Sequence, residues 1–281
     1  MQSDFPLWRS LMLAAALCSG HAGAQVKTPV NIAPSNLTLI SQTAEPSSGY
    51  IEAGLLHHSL SAGYPAWQGV FLRAGWRSDP DNFWSAELVK SQEFGDQGTL
   101  AVLGNTHTIN ERWYTNVSVS GSSGGFYLPT LRMDVSANRK WLERLNLVTT
   151  VGLTAINARD GHEDRSLLLA ASYYFEAPFV LEGGIRFNNS NPGQVKSTSQ
   201  YVALTYGEHR KQILSLRYGF GEEAYQYIGV DAPLINFNSN VWTGTWRKWI
   251  NPRQGFQVRA ESYHNPYYNR MGMELSVFQE F

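Results

Sequence analysis

Cysteine is all but missing. Cys18 is the only one in 281 residues, and it falls in a segment that reads as removable, so disulfides, thiol catalysis and cysteine-ligated metals are excluded from the mature chain. Long apolar runs are missing too. Residues 11–17 form a short one, well under the roughly 20 residues that a spanning helix needs. A bundle of membrane helices is therefore excluded, although 43% of the residues are hydrophobic. Mean hydropathy is only −0.29, so something spreads the apolar residues thinly. Neither sign of charge dominates: 22 Lys and Arg face 23 Asp and Glu, for a net −1. That balance argues against a nucleic-acid partner or a strongly acidic substrate.

What is present begins with an export signal. Residues 11–17 are followed by Ala22-Gly23-Ala24 and then Gln25, which reads as a signal peptide over 1–24 with cleavage after Ala24. Leu17 stands where a lipoprotein signal needs a small residue, so Cys18 is not a lipidation site. Residues 25–48 are rich in Pro, Ser and Thr without periodicity and read as a flexible periplasmic leader. Residues 49–281 keep one character throughout and contain no linker. They form one domain.

Within that domain apolar residues recur at every second position, in segments of about ten that suit a tilted membrane-crossing strand. Val70, Leu72, Ala74 and Trp76 alternate with Gly69, Phe71, Arg73 and Gly75. Leu131, Met133, Val135 and Ala137 alternate with Arg132, Asp134, Ser136 and Asn138. Period two places the two sets on opposite faces of a sheet. Compact charged connections (78–81, 110–112, 138–144, 176–178, 208–211, 251–254) alternate with longer Gly/Ser/Asn/aromatic segments (91–98, 121–128, 157–164, 188–199, 221–237). Short periplasmic turns opposite long external loops are a property of bacterial barrels. The expected fold is all-β, a closed antiparallel transmembrane β-barrel of about 14 strands with both chain ends periplasmic. Twelve is the alternative, if the hairpin around 98–110 is misread.

The last segment supplies the most specific signal. Gly272, Leu275, Val277 and the aromatic Phe281 match a closing strand of the kind that outer-membrane assembly machinery reads, with Met271 and Met273 on the same parity. Lipid cannot satisfy open strand edges, so a spanning sheet must pair its first strand with its last. Residues 50–58 are expected to meet 272–281. Aromatics near strand ends, among them Trp67, Trp76, Trp84, Trp113, Trp141, Tyr173, Phe175, Trp246 and Trp249, are expected at the membrane interfaces.

Trp113-Tyr114, Ser118-Val119-Ser120 and Phe126-Tyr127-Leu128-Pro129, with the strand that follows, resemble the YaiO-type outer-membrane β-barrels, and a looser likeness extends over 49–281. Some relatives carry helical repeats ahead of the barrel, where this chain has the short leader. The resemblance implies a barrel in the bacterial outer membrane that serves export or assembly of surface polysaccharide, and it brings no catalytic residues.

No pattern calls for a cofactor or a metal. His57 and His58 are adjacent and so point to opposite faces. The stretch Gly121-Ser122-Ser123-Gly124-Gly125 lacks the lysine and helix of a phosphate loop, and His162-Glu163-Asp164 with Asp160 reads as a solvated loop rather than a cation site. No Ser-His-acid set emerges from spacing, so an enzyme is not expected. With the apolar parity facing lipid, Arg73, Glu87, Arg132, Asp134, Glu182, Arg186, Arg217, Arg247, Arg259, Glu261 and Glu274 face the lumen. An arginine at the lipid midplane would cost about 2–4 kcal/mol, which fixes the parity. The leading expectation is a channel or secretion component with Arg73, Arg132, Asp134, Glu182, Arg186, Arg217, Arg259 and Glu261 along its pore. A non-conducting structural, adhesion or assembly barrel is the alternative, and a lipid-modifying enzyme the third. The expected partners are outer-membrane lipid and lipopolysaccharide, the barrel assembly machinery and polysaccharide-export components.

Overall fold

The computed structural model describes residues 48–159, 161–229 and 233–281. The expected signal peptide, and the expected leader apart from Ser48, lie outside the described residues. Fourteen strands follow one another: β1 (Gly49–Leu60), β2 (Trp67–Asp79), β3 (Asn82–Glu93), β4 (Asp96–Thr108), β5 (Trp113–Gly124), β6 (Pro129–Trp141) and β7 (Leu147–Ala158), then β8 (Glu163–Tyr174), β9 (Phe179–Asn191), β10 (Val195–Glu208), β11 (Gln212–Tyr227), β12 (Pro233–Asn251), β13 (Gln254–His264) and β14 (Asn269–Glu280). Each pairs antiparallel with its neighbours in sequence, and β1 pairs with β14, closing the sheet. The count is 14 rather than 12 because 96–108 forms a full strand.

The seam runs the length of both strands, from Tyr50 opposite Glu280 to Leu60 opposite Arg270. Ser48 and Phe281 extend it, since the Ser48 amide donates to the Phe281 carbonyl at 2.7 Å and the Phe281 amide to the Gly49 carbonyl at 3.0 Å. No edge is left to solvate, as a spanning sheet requires. Gly272 has a local reason to be glycine: the His58 imidazole lies against it across the seam, and a Cβ there would collide with the ring.

The alternation read from the sequence sorts the two faces. Val70, Leu72, Val117, Val119, Met133, Val135, Leu181, Leu204, Leu275 and Val277 are exposed on the outside, while Phe71, Arg73, Glu182 and Glu274 are buried inside. An exposed apolar belt of this extent is what a lipid-facing wall presents. Leu275, Val277 and Phe281 of the closing strand belong to it.

Two expectations need correction. The far-end connections are not long loops, because pairing continues through most of those segments: β3 and β4 are joined by Phe94 and Gly95 alone, and β11 and β12 pair out to Tyr227 opposite Pro233. Beyond the lipid the side chains no longer alternate apolar and polar, so period two disappears while the backbone ladder persists. Trp67 and Trp249 are not at the lipid interface. Both are buried inside the barrel, as their parity with Arg73 and Arg247 requires. Trp76, Trp113, Tyr173, Phe175 and Trp246 do face outward.

Candidate functional site

The inside of the barrel is divided. On one side, β1–β3 and β12–β14 carry long charged side chains that pair across neighbouring and next-neighbouring strands and, for Arg247 and Glu52, from β12 to β1. Arg73 is the hub: its Nε donates to Glu87 Oε1 at 2.8 Å, its Nη1 to Glu52 Oε1 at 3.3 Å, and its Nη2 lies 3.8 Å from Glu274 Oε2. Glu52 also accepts from Arg247 Nη1 at 2.7 Å and from Ser276 Oγ at 2.9 Å. Arg259 lies 3.5 Å from both Glu274 and Glu261, and Arg270 Nη2 donates to Glu261 Oε1 at 2.6 Å. Four arginines thus meet four glutamates. Cation–π stacking adds to the packing, with Arg247 3.6 Å above Phe278 and Arg270 4.3 Å above Trp67. We call this the packed wall.

The opposite side, β4 to β11, carries many small polar residues. Thr106 Oγ1 donates to Asn116 Oδ1 at 2.8 Å, Asn116 Nδ2 to Ser136 Oγ at 3.0 Å, and Thr150 Oγ1 to Asn138 Oδ1 at 2.7 Å. Gly152 adds no side chain at all. Near the middle, Arg132 grips Asp134 with two bonds of 2.7 Å, and Thr154 Oγ1 donates to the same carboxylate at 2.8 Å. Arg186 Nη1 donates to Thr154 Oγ1 at 3.1 Å and to Ser166 Oγ at 2.6 Å. Arg217 stacks 3.5 Å above Tyr201, 3.8 Å from Glu182. The Arg132 and Asp134 side chains keep 13% of their surface accessible and Glu182 9%, while on the packed wall Glu261 keeps 11% and Glu52 and Glu87 3%, so the two sides differ in side-chain length and pairing rather than in exposure.

Both ends are covered. At the far end, opposite the chain ends, Phe94 sits at φ 48 in its two-residue turn, a conformation costly for a bulky side chain. Its ring meets Tyr64 at 5.6 Å, Trp67 at 5.1 Å, Phe126 at 6.4 Å and Tyr268 at 6.1 Å. Ile228 and Leu234, near the tip of the β11–β12 hairpin, pack on the same group. Residues 223–227 of that hairpin are all buried, so both of its faces are covered and it lies across the mouth. It is bonded through Tyr263 to Glu223 at 2.8 Å and Asn265 to Gln226 at 3.2 Å, and it reaches the Pro192 carbonyl through Tyr225 at 2.7 Å and His162 through Tyr227 at 3.0 Å. At the near end Glu280 accepts from Trp249 Nε1 at 3.0 Å and lies 3.0 Å from His209 Nε2.

The eight charged residues singled out from the sequence all lie on the inner face. They divide: Arg73, Arg259 and Glu261 on the packed wall; Arg132, Asp134, Glu182, Arg186 and Arg217 on the strip side. Glu52 and Arg270 escaped notice, though their alternation with outward Ile51 and Met271 marks both as inward. His57 and His58 point to opposite faces, the latter 4.0 Å from Glu261. Among the described residues no group of three or more His, Cys, Asp or Glu is placed to hold a metal ion; Asp160 lies outside them.

Residues 48–226 match the model of the YaiO membrane beta barrel domain. No curated protein matches the chain. Among solved structures it is similar to the CymD monoaromatic hydrocarbon channel (7% identity, 84% of this chain and 89% of that one, TM-score 0.59). It is also similar to the toluene transporter TodX of P. putida (11% identity, 84% and 91%, TM-score 0.55) and to a bacterial polysaccharide outer membrane secretin (9% identity, 84% and 100%, TM-score 0.52). At these identities the likeness establishes the fold.

Proposed function

Because the chain belongs to the YaiO membrane beta barrel family, and so to the bacterial outer membrane, we propose that it is a gated conduit for a polar, sugar-like solute, serving export of surface polysaccharide. The observation that carries this reading is the divided lumen. A purely structural barrel gains nothing from one wall of short Ser, Thr and Asn side chains facing another of long, mutually paired charges. Hydroxyl and amide groups in a row can exchange hydrogen bonds with sugar hydroxyls as a chain slides past, and a glycan needs no net charge to be so held. On this reading the near end is periplasmic, the β11–β12 hairpin is the external gate, and the conformation described is the closed one. The polysaccharide secretin among the similar folds performs a task of that kind, and the family resemblance points the same way.

A second reading, a non-conducting barrel, is favoured by one observation: both ends are covered. Conductance of the purified barrel in planar bilayers separates the two. The conduit reading expects small steps from the intact protein, larger ones after deletion of residues 224–236 at the hairpin tip, and block by added neutral oligosaccharide. Silence from both the intact and the deleted protein would leave the second reading standing.

A further inference from the structure

The two walls differ in charge as well as in packing. On the packed wall, Arg73, Arg247, Arg259 and Arg270 are matched by Glu52, Glu87, Glu261 and Glu274. On the strip side Arg132 pairs with Asp134 and Arg217 with Glu182, Lys140 and Asp164 are also buried there, and Arg186 has no carboxylate within salt-bridge distance among the described residues. It is 93% buried by its 7% exposure, yet among the described residues its only hydrogen-bond acceptors are the hydroxyls of Thr154 and Ser166. Its Nε–H has no acceptor there. Asp134 exerts some attraction on it but is engaged by both hydrogen-bonding arms of Arg132. A buried cation without an ion-pair partner is expensive, and a guanidinium fork is shaped to take a planar or tetrahedral oxyanion through parallel N–H donors.

We infer that Arg186, with Arg132 and Arg217 beside it, is an anion-binding station in the lumen, taking the carboxylate or the phosphate or sulfate ester of a passing solute. This deepens the conduit reading and rests on it for the idea of passage, though binding at the station can be measured without passage. Thr154 and Ser166 hold the guanidinium in place, Tyr201 stacks on Arg217, and the Nε–H supplies a donor that no group among the described residues accepts from. The conduit is then selective for anionic over neutral sugars, and prefers chloride to potassium when only salt is present.

The test is calorimetric titration of the folded barrel in detergent with digalacturonate, with glucose 6-phosphate and with neutral maltose. Both anions are expected to bind and maltose far more weakly, and whichever anion binds tighter distinguishes carboxylate from ester. Arg186→Gln, which can still hydrogen-bond Thr154 and Ser166, is expected to weaken anion binding roughly tenfold or more, while Arg186→Lys retains part of it. Heat-modifiable migration on unboiled gels verifies that each variant is folded. If Arg186→Gln fails to fold, reversal potentials of the unaltered protein across a potassium chloride gradient decide, a chloride preference supporting the station. Equal affinity for maltose and digalacturonate, or a folded Arg186→Gln barrel that binds as the unaltered one does, overturns this inference. Anion binding by a barrel that never conducts, even without its hairpin tip, overturns the conduit reading and leaves the station in place.

Discussion

The two walls of one lumen solve the same problem in opposite ways. Both must carry polar side chains because the outer face is given to lipid. The packed wall neutralises long side chains against each other; the polar strip joins short ones by hydrogen bonds. On the packed wall stability is concentrated in a few hubs, each with several dependents. On the strip it is spread over many hydrogen bonds that water can replace. Where function needs a passing ligand to compete with protein partners, the second arrangement serves better, because exchanging one hydrogen bond for another costs little.

The largest expected effect that would break this contrast is at Arg73. Arg73→Met leaves Glu87 without its arginine and takes one of two arginines from Glu52 and from Glu274, and breaking a buried ion pair by removing one partner costs about 3–5 kcal/mol. Urea unfolding of the barrel in lipid vesicles measures it, with Arg186→Met on the strip side as the control expected to lose clearly less. Equal losses would mean that the walls do not differ. Next comes the outside of the strip: Leu181→Arg on the lipid face is expected to cost about 2–4 kcal/mol and to lower the amount of folded protein, whereas Ser136→Arg on the inner face should leave the unfolding midpoint nearly unchanged. Comparable damage at both sites would invalidate the face assignment. Asn138→Ala removes bridging bonds to Ser136 and Thr150 on the polar strip and is expected to cost about 1 kcal/mol; a loss as large as that at Arg73 would show the strip to be as rigid as its counterpart. The smallest effect is one of access rather than stability. Ser118→Cys should react with a water-soluble maleimide in the folded barrel faster than Ser276→Cys, which is buried beside Glu52. The reverse order would put the water on the wrong side.

Much of this was legible in the sequence, and the reason is period two. Once Val70, Leu72 and Trp76 are assigned to lipid, Arg73 and its peers have nowhere to go but inward, and the strand count follows from the connections. The same rule could have turned Trp67 and Trp249 inward, but residue type was allowed to outrank parity at the strand ends. The far-end hairpins were not legible, because beyond the lipid a strand needs only its backbone partners and its side chains carry no alternating pattern. The division of the lumen was hidden for a different reason. Which inward charges meet depends on strands far apart in sequence, and Glu52 finds Arg247 and Ser276 only across the closed seam.

That last point bears on how the barrel comes into being. The packed wall joins the first three strands to the last three, so Glu52 must wait for partners 195 and 224 residues away, and none of its long-range pairs can form in a nascent half-sheet. Until the final strand docks, Glu52 and Arg73 stand at one open edge and Arg247, Arg259 and Glu274 at the other, and loop closure over that span is paid before any contact between the two groups is gained. Closure is therefore rewarded all at once, by hydrogen-bonding of the two edges together with discharge of the charges behind them. A barrel wired in this way has no comfortable three-quarter state: assembly is close to all-or-none, and a chain stalled short of its last strand exposes the very charges that would mark it as unfinished.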